Sequence, residues 1–328
     1  MPNRIRRLLV SWPVASIASS ALAQSPSSQP AWPTKPIQIV VPYAAGGQTD
    51  AIARLFGTFL SKHFEVPVVV VNKAGASGVI GVSQVVHAPA DGHTVLCSLS
   101  PPLIQNRVLV KGLPYNPERD FTYLSTIDTI GVPVVAAERT EIKTLPDLIA
   151  YARSSNGLNF GAYGLGTLPH VLAGLLARQY GLHISTVQYR GESPMWADVR
   201  GQTLELAAGS LAGAAPVIQS GHGRLIAVLG NRLPPYPDVP TLIEQGAVGE
   251  AFGITGFTAF AVLSGVPSEI VQLLSSALVQ AGSDPRVKDV LATLLVKPPT
   301  SQAAAQARFM KETTVILKLL EDLNIKAE

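Results

Sequence analysis

Cysteine, histidine and charged side chains are all scarce in this chain of 328 residues. Because Cys97 is the only cysteine, no disulfide can form within the chain, and a disulfide-stabilised scaffold is excluded. Six scattered histidines and one cysteine offer no cluster with the spacing of a metal site, so we expect neither a metal nor a cofactor. Cys97 lies in the apolar stretch 94–99, which predicts a buried and unreactive thiol.

The N-terminus has the pattern of an export signal. Three arginines within the first seven residues precede an apolar segment over residues 8–22, and Ala21 and Ala23 give the small-x-small pattern that signal peptidase cuts. The apolar segment is shorter than the roughly 20 residues that a membrane span needs. We therefore predict a signal peptide over residues 1–23, cleaved after Ala23, and a periplasmic protein.

Cleavage of this signal changes the charge balance of the chain. The full sequence has 25 Lys+Arg against 22 Asp+Glu, and loss of three arginines leaves 22 of each sign. The basic excess therefore belongs to the export signal, and we expect no nucleic-acid partner. Residues 24–33, rich in Ser, Pro and Gln, are predicted to form a disordered leader.

Strand and helix patterns alternate along the rest of the chain. The first segments have the order β-α-β-α-β, which is typical of a parallel sheet with helices on both faces. A second alternating series follows, with helices predicted at 145–154, where Thr144 is the N-cap and Pro146 lies near the first turn, and at 216–220. After a last strand at 257–263 only helices remain, the first of them at 268–281, and we expect all of them to pack on the first series. The pattern predicts an α/β fold with two lobes joined by crossover strands. Lobe 1 comprises residues 34–130 plus 257–328, and lobe 2 comprises residues 131–256.

Two glycine-rich turns each follow a predicted strand and lead into a helix. The first runs from Tyr43 to Gly47 and the second from Gly164 to Thr167. Backbone N–H groups at the start of a helix favour an anion, because the helix dipole is positive there. The two turns therefore predict that the protein grips a small acid from two sides.

Candidate ligand contacts come from these turns and from the ends of neighbouring strands. They are Tyr43, Ala44, Ala45, Gly46, Gly47, Thr49, Ser77, Ser98, Ser100, Gly164, Gly166, Thr167, His170 and Ser210. For His170 a packing or helix-capping role is an alternative, and for Ser77 a place in a rim loop. Either Thr49 or Asp50 is expected to cap the helix that follows the first turn. Asp50 is expected to be structural, since a carboxylate would repel an acidic ligand. The segment 190–192 is expected to be a solvated loop, from which Arg190 could reach a second carboxylate.

Several stretches together resemble the Bug family, the periplasmic solute receptors of tripartite tricarboxylate transporters. Among them are WPTKPIQIVVPYAAGGQTDAIAR (32–54), GLGTLPHVLAGLL (164–176) and YPDVPTLIEQG (236–246). The resemblance implies a two-lobe periplasmic binding protein of the type II-like Venus flytrap kind. It also implies a small carboxylate between the lobes, membrane permease subunits as partners, and no catalysis. We expect a monomer and a mono- or dicarboxylate ligand, with aromatic acids included.

Two other functions remain open at this point. An exported α/β hydrolase would need a nucleophile, for which Ser210 is the candidate, but the chain lacks the G-x-S-x-G motif around it. A sensor that presents its ligand to a membrane kinase would use the same cleft as a transport receptor. Because no cleft carboxylate beyond Asp50 is evident in the sequence, we expect a ligand without an ammonium group.

Overall fold

The computed structural model describes residues 32–327. The predicted signal peptide, residues 1–23, and the leader as far as residue 31 lie outside the described residues. Within residues 32–327, no helix has both the length and the apolar character needed to cross a membrane.

The first part of the chain alternates strands and helices as far as residue 128. Its elements are β1 (Ile37–Val41), α1 (Gln48–Phe64), β2 (Val68–Asn72), α2 (Val79–Val86), β3 (Thr94–Leu99), α3 (Asn106–Leu109), α4 (Pro117–Asp120) and β4 (Phe121–Asp128). A 3₁₀ turn, Ala76–Gly78, precedes α2.

The middle and last parts of the chain supply the remaining elements. The middle part contains β5 (Gly131–Ala137), α5 (Leu145–Ser154), β6 (Leu158–Ala162), α6 (Leu168–Tyr180), β7 (Ile184–Gln188), α7 (Glu192–Arg200), β8 (Leu206–Ala208), α8 (Leu211–Gln219) and β9 (Gly223–Gly230). The last part contains β10 (Phe257–Leu263), α9 (Ser268–Ala281), α10 (Pro285–Thr293) and α11 (Gln302–Asp322). Capping residues Thr144, Asp284 and Ser301 start α5, α10 and α11.

The strands form two five-stranded sheets, one in each lobe. The order of the first is β2-β1-β3-β10-β4 and that of the second is β7-β6-β8-β5-β9. Both sheets are mixed, because β10 runs antiparallel to β3 and β4, and β5 runs antiparallel to β8 and β9. The parallel sheet expected from the sequence is thus confined to β2-β1-β3 in the first lobe and β7-β6-β8 in the second.

Strand β4 was not predicted, because polar residues interrupt its apolar pattern. Ser125 and Thr126 are buried on it, and both bond to Thr300 in the segment before α11. The Oγ of Ser125 donates to the Thr300 carbonyl over 2.8 Å. The segment before α11 therefore satisfies these buried hydroxyl groups. The polar residues break the apolar periodicity of the stretch, so periodicity alone predicts a loop there.

The start of α8 was also predicted wrongly. Pro216 was expected to open the helix, since proline favours the first turn. Instead, the helix begins at Leu211, with Ser210 as its N-cap, and Pro216 lies inside it.

Two strand-like crossovers join the lobes. At the first, the N–H of Thr129 donates to Gly256 O over 2.8 Å, which places it beside the second crossover. The N–H of Ile130 donates to Leu295 O over 3.0 Å, so the segment after α10 runs along the same junction. The hinge region thus contains three chain segments held together by backbone hydrogen bonds.

The C-terminal helices pack on the first lobe, as the sequence predicts. α9 and α11 lie against β4, and Phe309 of α11 stacks on Tyr123 with ring centroids 4.1 Å apart. The end of α11 also reaches the second lobe, where Arg178 of α6 donates to the carbonyl of Asp322. Both lobes consequently belong to one compact unit.

Candidate functional site

Two adjoining cavities lie between the lobes. The larger, called the outer cavity here, has a volume of about 350 Å³. It is lined by Pro42, Tyr43, residues 74–78, Pro101, residues 163–165, Thr167 and residues 188–190. The smaller, the inner chamber, has about 30 Å³. It is lined by Gln48, Thr49, residues 99–101, Thr129, Val132, Tyr163, Thr167, Leu168, Glu192, Gly209, Ser210, Gly256 and Phe257. Pro101, Tyr163 and Thr167 line both and mark the junction between them.

The first turn, residues 43–47, brings only part of its predicted contacts to these cavities. Tyr43 lines the outer cavity, and burial raises the pKa of its hydroxyl. The Gly46 N–H donates instead to Asp50 Oδ2 over 3.0 Å, so it is not free for a ligand. Ala44, Ala45, Gly46 and Gly47 line neither cavity.

Asp50 has a structural role, as expected. Its carboxylate accepts bonds from the Gly46 N–H, from Arg54 and from Asn72, each over 3.0 Å. Burial opposes its ionisation, but these hydrogen bonds outweigh it and lower the pKa of Asp50. Contrary to the sequence reading, neither Thr49 nor Asp50 caps α1. The N-cap is Gly47, which makes no side-chain bond, and the helix begins at Gln48.

The second turn, residues 164–167, has its polar groups engaged in a similar way. The Gly166 N–H donates to Nδ1 of His170 over 3.0 Å, so this imidazole holds the turn in place. The hydroxyl of Thr167 donates to Gly164 O over 2.7 Å, which uses the proton that was expected to reach an anion. Gly164 and Thr167 line the outer cavity, whereas Gly166 and His170 line neither cavity.

Among the described residues, the N–H groups at the starts of α1 and α6 have no acceptor. In α1 the first intrahelical bond comes from Ala51 to Gly47 O, and in α6 from Val171 to Thr167 O. The N–H groups of Gln48, Thr49 and Leu168 precede those bonds and have no helical acceptor. All three residues line the inner chamber. The positive ends of two helices, one from each lobe, therefore meet at the same place.

The predicted serines divide among several environments. Ser98 is fully buried in β3, and its Oγ donates to the carbonyl of Leu99, so it does not face the cleft as expected. Ser100, the first residue after the strand, lines the inner chamber. Ser77 lines the outer cavity, in the 3₁₀ turn before α2.

Ser210 lines the inner chamber together with Glu192, which was expected in a solvated loop. Glu192 begins α7, and its Oε2 accepts bonds from Ser210 Oγ and, over 3.4 Å, from Trp196 Nε1. Its two oxygens share the Ser210 N–H at 3.2 Å each. Glu192 thereby occupies the N-terminus of α8. None of the six histidines, all of which are described, lines either cavity, so Ser210 has no histidine base beside it.

Sequence reasoning also missed Tyr163, at the junction of the two cavities. Burial raises the pKa of its hydroxyl, and the Glu192 carboxylate raises it further. A pattern in the sequence could have indicated Tyr163. It follows the end of β6, just as Tyr43 follows the end of β1. Arg190 lines the outer cavity and is exposed. It makes no ion pair within residues 32–327.

The lobes contact each other on both sides of the cleft. On one side, Gln105 Nε2 of the first lobe donates to Gly166 O of the second over 3.1 Å. On the other side, a Cβ at Gly191 would lie 3.4 Å from the Cβ of Ala44, and one at Gly46 would lie 3.5 Å from Ser193 Oγ. Both glycine-rich turns are thus part of the contact between the lobes.

Comparison with known proteins identifies the family. The family described as the tripartite tricarboxylate transporter family receptor matches residues 52–324. The chain belongs to this family. Protein BugT of Bordetella pertussis is 33% identical to the receptor over 233 residues, which cover 70% of this chain and 71% of BugT. The resemblance to the Bug family is therefore confirmed.

Solved structures agree with this assignment. R. palustris Rpa4515 with adipate is 28% identical, has a TM-score of 0.86, and the match covers 90% of this receptor and 100% of that chain. MatC from Rhodopseudomonas palustris with bound malate is 25% identical, with a TM-score of 0.82 over 88% of this receptor and 100% of that chain. The two-lobe periplasmic-binding-protein fold is confirmed, and the receptor is a periplasmic solute-binding protein rather than an enzyme.

Proposed function

We propose that the receptor captures a small carboxylate between its lobes and delivers it to the permease subunits of a tripartite tricarboxylate-type transporter. The observation that carries this proposal is the meeting of the α1 and α6 N-termini at the inner chamber. Gln48 and Thr49 come from one lobe and Leu168 from the other. The chamber has a volume of only about 30 Å³, so the carboxylate lies at its junction with the outer cavity and faces these N–H groups of both lobes, and its binding favours closure.

The available donors can account for useful affinity. A hydrogen bond to a charged group contributes about 1.5–3 kcal/mol, and each helix dipole adds roughly 0.3–1 kcal/mol for an anion. Three such bonds therefore reach the range of a micromolar dissociation constant, about −8 kcal/mol, before the entropic cost of closure is subtracted. The Tyr163 hydroxyl at the junction is a further donor for the same carboxylate.

The outer cavity limits the size of the rest of the ligand. Its volume of about 350 Å³ lies within the usual range for small-molecule sites. Tyr43, Tyr163 and Tyr189 give it aromatic walls, and Arg190 supplies a cation. Mono- and dicarboxylates, including aromatic acids, fit this lining. The neighbours that hold adipate and malate support a carboxylate as the ligand.

We propose the remaining assignments on the same basis. The predicted contacts Tyr43, Thr49, Ser77, Ser100, Gly164, Thr167 and Ser210 are kept, because they line the two cavities. Residues 34–130 with 257–328 form one lobe and residues 131–256 the other. The chain acts as a monomer after cleavage behind Ala23. Membership of a transporter receptor family favours transport over signalling to a membrane kinase.

The helix N-termini can be tested with one matched pair of variants. Gln48→Pro removes the first N–H of α1 at a position that proline tolerates well, and Gln48→Ala keeps that N–H. Both remove the side-chain bond from Gln48 Nε2 to Leu294 O. We expect Gln48→Pro to bind its acid about tenfold more weakly than Gln48→Ala, since one charge-assisted bond is lost.

The ligand for this comparison comes from calorimetric titration with a library of mono-, di- and aromatic carboxylates. Equal affinity in the two variants would show that the Gln48 N–H does not hold the carboxylate. If well-folded protein stripped of bound solute binds no acid in the library, the proposed function is wrong.

A further inference from the structure

The inner chamber contains a carboxylate of the protein itself. Among residues 32–327, Glu192 is the only acidic side chain that lines either cavity. Thr49 and Leu168, which mark the two helix N-termini, line the same chamber. An acid bound at those N-termini therefore lies close to a second negative group, which is an unusual arrangement for a receptor of acids.

The protein provides Glu192 with hydrogen bonds but no cation. Ser210 donates from both its N–H and its hydroxyl, and Trp196 Nε1 lies 3.4 Å from Oε2. No ion pair to Glu192 forms within the described chain, and Arg190, two residues earlier, lines the other cavity. Burial raises the pKa of Glu192, and the bonds from Ser210 and Trp196 only partly oppose this effect.

The two oxygens of Glu192 are not equally occupied. Oε2 faces α8 and accepts from Ser210 Oγ and from Trp196. Oε1 accepts only its share of the Ser210 N–H, over 3.2 Å. A carboxylate oxygen can accept about two bonds, so Oε1 has capacity for one more donor.

The size of the chamber indicates what that donor can be. Its volume of about 30 Å³ holds roughly one group of the size of a water molecule. An ammonium or a hydroxyl group has that size, whereas the body of a ligand needs the outer cavity. A ligand with its carboxylate at the junction, beside Thr167 and Tyr163, would direct a neighbouring substituent into the chamber.

We propose that Glu192 is a specificity-determining residue, which makes the receptor prefer acids that carry a hydrogen-bond donor, an ammonium or a hydroxyl group, next to the carboxylate. This inference rests on the proposed function. The donor bonds to Glu192 and separates the two negative groups, whereas an acid without one places them side by side. The expectation of a ligand without an ammonium group is thereby reversed, because the cleft does hold a carboxylate.

Two matched series of acids test this inference in calorimetric titrations at one pH. Succinate, malate and aspartate share a skeleton and differ in carrying no donor, a hydroxyl or an ammonium. The second series has an aromatic body. In it, 3-phenylpropionate carries no donor, 3-phenyllactate carries a hydroxyl and phenylalanine carries an ammonium. In the series that fits the outer cavity, we expect a donor-bearing acid to bind about tenfold or more tightly than the plain acid, a difference of about 1.4 kcal/mol. The ranking of hydroxyl against ammonium identifies the donor.

Glu192→Gln should change this order, since it removes the charge and keeps the shape. We expect the plain acid to gain affinity and the ammonium-bearing acid to lose it, so that the two differ by less than about threefold. Glu250→Gln is the control, because it removes the same charge from an exposed site and should leave every affinity unchanged. Glu192→Asp, which keeps the charge, should keep the preference even if binding weakens.

The opposite results are equally distinct. If Glu192→Gln weakens all members of a series by one factor, Glu192 only positions Ser210 and the inference is wrong. If the wild-type receptor binds only acids without a neighbouring donor, the inference is wrong while the proposed function stands. If no acid binds, the proposed function itself fails.

Discussion

The two glycine-rich turns of this receptor are built alike, although they lie in different lobes. In each, a glycine with positive φ donates its N–H to the side chain four residues later. Gly46, at φ 89°, donates to Asp50, and Gly166, at φ 71°, donates to His170. Each glycine also faces the opposite lobe. The acceptor is a carboxylate in one turn and an imidazole in the other.

The sequence suggested that the glycines of each turn themselves bind the anion, but the glycines and the N–H groups after them have separate roles. The glycines shape the turns and allow the lobes to approach, while the N–H groups after them are free for an anion. The contacts that the two turns make with the opposite lobe differ in tightness. A Cβ at Gly166 would lie 2.7 Å from the Cβ of Gln105, whereas one at Gly46 would lie 3.5 Å from Ser193 Oγ. The second turn therefore fits the opposite lobe more closely than the first.

The largest effect is expected from Gly166→Ala. Its methyl group would overlap Gln105 and Leu109 when the lobes meet, and alanine at positive φ costs about 1 kcal/mol in addition. We expect the affinity for the bound acid to fall by more than about tenfold. Gly46→Ala has the same backbone cost without the overlap, so its affinity for the acid should fall by about threefold or less. Titration of both variants with the same acid checks this difference, and equal losses would show that the two turns fit equally tightly.

The next effect concerns Asp50, whose carboxylate holds the first turn. Asp50→Asn should lower the free energy of unfolding by about 1–3 kcal/mol at pH 7, because charge-assisted bonds from Arg54, Gly46 and Asn72 are weakened. His170→Ala, which removes one neutral acceptor from the second turn, should cost about 1 kcal/mol. Urea unfolding of both variants measures the two costs.

The pH dependence gives this prediction a second readout. Since the folded protein lowers the pKa of Asp50, its contribution is present above the unfolded pKa near 3.8 and is lost as pH falls through the lower folded pKa. The gap between wild type and Asp50→Asn should therefore close as pH drops below about 3.8. A gap that stays constant down to that range would mean that the carboxylate charge contributes nothing.

A smaller effect than that of Gly166→Ala should come from Gln105→Ala. It removes the 3.1 Å bond from Gln105 to Gly166 O across the lobes, but the buried Oε1 of Gln105 has no partner among the described residues, which offsets part of the loss. We expect affinity to fall by about three- to tenfold. Ser193→Ala, on the side of the first turn, should change it by less than about twofold. If Ser193→Ala lost more affinity than Gln105→Ala, the contact at the first turn would be the more important of the two.

Much of the fold followed from local pattern. The segments at 145–154 and 268–281 were predicted with the bounds that the structure gives. Clear apolar spacing marks both, and Thr144 and Pro146 mark the start of the first. Strand β4 escaped prediction because Thr300, far along the chain, satisfies its buried hydroxyls. Local periodicity cannot report a partner that distant.

The sequence placed the two glycine-rich turns at the cleft, but it did not show which of their polar groups are already engaged. The turns at 43–47 and 164–167 do meet at the cleft, but the bonds from Gly46 to Asp50 and from Gly166 to His170 depend on side-chain directions that spacing does not fix. Glu192 was missed for a related reason. Its role depends on Ser210, eighteen residues later, whose helix start the sequence also misplaced.

The burial of Cys97 has a practical consequence for measuring closure. The thiol is fully buried, and burial raises its pKa well above the usual value, so it should not react with maleimide dyes under native conditions. As the chain has no other cysteine, the natural protein is already a clean background for paired fluorophores. Cysteines placed at the exposed Val248 and Met310, one on each lobe, would report opening and closing of single molecules without first removing a native thiol.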